Sequence, residues 1–171
     1  MANRVKVIVW RDVLVLTDDG RSVVSDYEEL FEIGTELHRR YPEGWGMLTI
    51  IPDNAVPPSE PVRAAINQAL TRVNETLVAA SWAIEGVGFQ GAMVRAVLTG
   101  LRFFTSATYA RHVSCSLEES LNWLLPQLPG GELRLGEYDE AIQYIATRRD
   151  VLARFQSIIR ARTDKAASGT E

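Results

Sequence analysis

The chain is poor in the side chains that most chemistry needs. It has one cysteine and two histidines. A lone Cys115 excludes an internal disulfide and fits a reducing, cytoplasmic setting, which is the compartment expected. A zinc centre needs three or four ligands, and His38, His112 and Cys115 form no such cluster, so no metal is expected. Nucleophilic catalysis has equally little to work with, because no G-x-S-x-G elbow is present and general bases are few. No catalytic residue and no cofactor are expected. Apolar runs fall far short of the roughly 20 residues that cross a bilayer, so no transmembrane segment is expected. The opening MANRVKVIVWRDV carries a charge inside its apolar run and no small-residue cleavage site, unlike a signal peptide. A net charge of −4 opposes binding to nucleic acid or to an anionic membrane.

What is present is a soluble-globule composition, 46% hydrophobic, with strand and helix patterns in alternation. VKVIVW (Val5–Trp10) and VLVLT (Val13–Thr17) predict a hairpin turning at Arg11-Asp12. Ser25-Asp26-Tyr27-Glu28 has capping-box spacing and predicts a helix that buries Leu30, Ile33 and Leu37 and stops near Tyr41, before Pro42. WGMLTII (Trp45–Ile51) reads as a buried strand, followed by the loop PDNAVPPSEP. Ser59 is the expected N-cap of a second helix, with Val62, Ile66, Leu70, Val73 and Leu77 at helical spacing. Ser81–Glu85 and Arg111–Cys115 are candidate strands, and 91–105 a third helix. Ser116 and Glu119 form a second capping box, opening a helix with Leu117, Leu121, Leu124 and Leu125 inward. Trp10, Trp45, Trp82 and Trp123 are expected in or at the edge of the core.

This order predicts an α/β fold. A mixed, mainly parallel sheet of about five strands is flanked by helices. Pro129-Gly130-Gly131 marks the end of that unit, giving a domain over 1–128. Residues 129–171 are read as a linker, a long amphipathic helix from about Tyr138 to Arg162 and a disordered tail. The stripe Tyr138, Ile142, Ile145, Leu152, Phe155 and Ile159 either covers the sheet or pairs two subunits, and a homodimer is the partner arrangement expected.

Acidic residues are also missing from one long segment. GVGFQG gives G-x-G-x-x-G at Gly86, Gly88 and Gly91, the spacing of a dinucleotide-binding turn. The ribose-gripping carboxylate about 20 residues further on is absent, since no Asp or Glu occurs from Gly86 to Leu117. The glycines are therefore read as relaxing a strand-to-helix turn. In the same segment Arg95, Thr99, Arg102 and Ser106 share one helix face. With Asp53 and Ser59, which fall where α/β sheets place ligands, Arg95, Thr99 and Arg102 make a candidate docking surface for a protein partner, whose identity the residues do not give. Beside each candidate stands a plain reading: an N-cap, a turn acid and a solvated face. The alternative is a pocket for a lipid-like or other apolar ligand, lined by Trp82, Phe89, Phe103 and Phe104.

The element order, the GVGFQGAMVRAVLTGL segment and the closing SLEESLNWL together resemble the SpoIIAA-like family of STAS domains, which has kinship with the CRAL-TRIO fold. The resemblance spans about residues 4–128. It implies a non-enzymatic interaction module in bacterial cytoplasmic signalling, with its partner at the start of the second helix. Family members carry a phosphorylatable serine there beside a glycine. Here AVPPSEPVR has Ser59 without that glycine, so the resemblance does not extend to a phosphorylation switch.

Overall fold

A computed structural model describes residues 5–85 and 107–151. The first two strands, β1 (Lys6–Trp10) and β2 (Val13–Thr17), pair antiparallel with Trp10 opposite Val13. Their two-residue turn is Arg11-Asp12, as the sequence predicts, with Arg11 at a φ of 50°. Helix α1 (Val24–Arg40) follows, then β3 (Trp45–Ile51), α2 (Glu60–Arg72), β4 (Leu77–Ile84) and β5 (Ala110–Ser114). The strands lie in the order β1-β2-β3-β4-β5, and every pairing after the hairpin is parallel. The α/β class with a mixed, mainly parallel five-stranded sheet is thus the one read from the sequence.

Helix boundaries differ in two places. α1 begins at Val24, ahead of Ser25, because the Asp26 carboxylate accepts a hydrogen bond from the Val23 N–H at 2.9 Å. That satisfies a free donor at the helix start and leaves Ser25 inside the first turn. α2 begins behind Ser59, but the Ser59 hydroxyl makes no capping bond. α2 also ends at Arg72. Val73 accepts from the Thr76 and Leu77 N–H groups in a tight turn, and Leu77 opens β4.

Parallel strands are apolar on both faces because helices cover both. α1 and α2 lie on one face, where Leu30, Leu37, Val62 and Leu70 meet Leu14, Leu16, Met47 and Trp82. On the other face lie α3 (Leu117–Leu124), two 3-10 turns (Leu125–Gln127 and Gly131–Glu137) and a final helix, α4, described over 138–151. Leu117, Leu121 and Leu124 pack there against Val13, Val15, Leu48 and Ile50. Ala141 and Ile145 of α4 are fully buried in the same cluster. Over its described length the predicted stripe is therefore spent on the chain's own sheet, and Leu152, Phe155 and Ile159 lie outside the described residues. Among the described residues no helix is long and apolar enough to cross a membrane.

Three hydroxyls sit within this second face. Ser81 donates to Ser120 at 2.9 Å, Ser120 contacts Ser114 at 2.5 Å, and Ser114 donates to the Ser116 carbonyl at 2.9 Å. Since Ser114 spends its proton on that carbonyl, Ser120 is the donor between the two. The chain of hydroxyls joins β4, β5 and α3 without leaving a buried oxygen unmatched. α3 is capped as predicted at Ser116, whose hydroxyl accepts from the Glu119 N–H, while the Glu119 carboxylate takes the Cys115 N–H.

Candidate functional site

The carboxyl ends of the parallel strands, where open α/β sheets bind ligands, carry two interlocked loops here. Asp18 ends β2. Its Oδ1 accepts from the Gly20 N–H at 2.8 Å, and its Oδ2 accepts from the Tyr27 hydroxyl and from Ser22 Oγ at 3.2 Å. These bonds fold residues 18–22 back onto the first turns of α1. The loop after β3 is clamped to them, because Val56 N–H donates to the Asp19 carbonyl at 2.9 Å and Arg63 braces Pro58 O at 3.0 Å.

Behind these loops, between the sheet and helices α1 and α2, is a cavity of about 100 Å³. Leu14, Leu16, Met47, Ile51 and Trp82 form its floor, and Tyr27, Leu30, Phe31, Ile66 and Ala69 form its roof. The short side chains of Ala55 and Ala69 help to leave the space open. At the strand ends Asp18, Gly20, Val56 and Pro58 make its rim, and Val56 is exposed. Asp18, Thr49 and Tyr27 are the polar side chains that reach it among the described residues. Polar groups few in number on an apolar wall are the usual make-up of a small-molecule site.

Burial pushes the Tyr27 hydroxyl well above the ordinary tyrosine range, and the neighbouring Asp18 carboxylate adds to the shift. Its unfolded value is about 10. Above that pH the unfolded chain gives up a proton that the native state keeps, so the native state loses stability as pH rises. Wild type is expected to lose about 1.4 kcal/mol per pH unit above pH 10 from this group, and Tyr27→Phe is expected to flatten that slope. Urea titrations between pH 8 and pH 11 check it; equal slopes in the two proteins would contradict it.

Of the residues singled out in the sequence, Trp82 is 8% exposed and lines the cavity floor. Asp53 and Ser59 are exposed on the loop that forms the rim. Phe89, Phe103, Phe104, Arg95, Thr99, Arg102 and the glycines Gly86, Gly88 and Gly91 lie outside the described residues, as does the predicted third helix. Trp10 and Trp45 are buried, and Trp123 stacks on His112 with centroids 4.9 Å apart. Asp18, Tyr27 and Thr49 were not among the predicted site residues. Tyr27 read as a position inside a capping box, and no local pattern connects it or Asp18 to a cavity. No family model, curated protein or solved structure matches this chain.

Proposed function

We propose that this chain is a binding module rather than an enzyme, and that its seat is the apolar cavity between α1, α2 and the sheet. The single observation that carries the reading is a cavity of about 100 Å³ with apolar walls, set between the sheet and two helices. An apolar void of this order loses dispersion contacts on its lining and regains them when a small apolar body enters, as the benzene-binding cavity engineered in another protein illustrates. The size suits a short alkyl chain or a single small ring, not a whole lipid tail.

The rim supports a second reading that joins the first. Ala55, Val56 and Pro58 touch the cavity while Asp53 and Ser59, in the same loop, face solvent. Occupancy of the cavity would thus be felt on a surface open to a protein partner. A STAS-like, SpoIIAA-like signalling module uses this region for docking, and the β-β-α-β-α-β order supports that kinship.

Benzene titration followed by amide-resolved NMR tests the seat. Resonances of α1, α2 and residues 52–58 are expected to shift and saturate. Ala69→Leu, which fills the void, is expected to abolish the response without unfolding the chain. The absence of a saturable shift in wild type, or an unchanged response in Ala69→Leu, overturns the reading.

A further inference from the structure

We infer that the cavity selects a small alkyl ligand with a hydrogen-bond-donating cationic head, a short primary amine, and rejects the matching carboxylate. The inference rests on the cavity being a ligand seat and concerns which end group that seat accepts. Three donors converge on Asp18: the Gly20 N–H, the Ser22 hydroxyl and the Tyr27 hydroxyl. A group that takes a backbone N–H on one oxygen and two hydroxyls on the other is acting as an acceptor throughout. Oδ1 keeps room for a further donor beyond the Gly20 N–H.

Tyr27 spends its proton on Asp18, so its oxygen acts as an acceptor, with Ser22 Oγ 3.2 Å away on one side and a second lone pair left over. Thr49 can turn its hydroxyl to accept as well. The polar end of the cavity is thus a set of acceptors, one of them charged. Among the described residues none of the lining side chains is Lys, Arg or His. Arg72 sits over the ring of Phe31, 5.3 Å from its centroid, and is not part of the lining. Among the described lining residues a ligand carboxylate would face Asp18 with no countercharge. An ammonium would gain a charge-assisted hydrogen bond at a half-buried rim, where its desolvation is partial.

The test uses the full chain and three probes, n-butylamine, butyrate and benzene, each titrated by amide-resolved NMR. Butylamine is expected to bind about tenfold or more tighter than butyrate, the scale of one hydrogen bond to a charged group. Asp18→Asn is expected to weaken butylamine about tenfold while leaving benzene unchanged. Thr49→Val, which keeps side-chain shape, is expected to weaken butylamine about threefold and serves if Asp18→Asn does not fold. Butyrate binding as tightly as butylamine overturns the head-group assignment alone, provided benzene binds. Failure of all three probes overturns the ligand seat itself. The wild-type ratio decides the matter even if neither variant can be prepared.

Discussion

Replacing Arg134 with alanine is expected to cost about 3 kcal/mol of folding stability, the scale for breaking a buried ion pair from one side. Arg134 grips Asp12 through both terminal nitrogens, at 2.8 and 2.9 Å, and its Nε reaches Glu137 at 2.7 Å. The hydrogen bonds to Asp12, then to Glu137, hold the guanidinium charge well above its ordinary range. Side-chain exposure is 12% for Arg134 and 7% for Asp12, so solvent cannot replace the lost partner. Alanine would leave the Asp12 carboxylate buried at the hairpin turn without its cation. Arg134→Lys keeps the charge but not the flat two-pronged donor, and is expected to recover less than half of the loss. Denaturant unfolding measures both. A loss below about 1 kcal/mol for Arg134→Ala would mean that the pair is solvated in solution.

Gly20→Ala is expected to be at least as damaging, about 4 kcal/mol or outright failure to fold, from backbone strain and collision together. Gly20 has a φ of 78°, a left-handed conformation that glycine adopts freely. A Cβ there would lie 1.7 Å from the Val56 carbonyl oxygen, and that backbone is fixed by its own bond to Asp19. Either loop would have to move, and the rim of the cavity with it. Gly136→Ala is the control, since nothing lies within 4 Å of its added Cβ, and it is expected to leave stability unchanged. Thermal unfolding of the two variants side by side checks this; a Gly20→Ala protein as stable as Gly136→Ala would show that the two loops part easily.

Much of this architecture is legible in the chain. The hairpin shows because two β-rich runs flank a two-residue gap, and β3 because seven apolar-rich residues lie between clear breakers. The first half of β4 does not show. Leu70, Val73 and Leu77 fit a helix stripe as well as they fit a helix, a turn and a strand, so periodicity alone carries the helix too far. The α1 start is hidden for another reason: Asp26 caps through its carboxylate from inside the helix, and Ser25 offers a more familiar signal two residues beyond the actual cap, Val23. The site is the least legible part. Asp18 and Tyr27 are near in sequence, yet the cavity they border is defined by what fails to fill the space between two helices and a sheet. Packing defects leave no motif. The Asp12–Arg134 pair, 122 residues apart, is equally invisible before the fold brings its ends together.

The strand order has a consequence for the chain as it is being made. Strands that line up in chain order can each dock on the one before, so the sheet can grow while translation proceeds. The second face cannot follow. Arg134 to Asp12, Arg11 to Glu140 and Tyr144 to the Val9 carbonyl close spans of 122, 129 and 135 residues. Until α3 has left the ribosome that side of the sheet stays bare, with Ile8, Val15, Leu48 and Ile50 open to the solvent or to a chaperone, and it is closed fully only when Ala141 and Ile145 follow. Completion of the second face is therefore tied to elements made well after the strands that they cover.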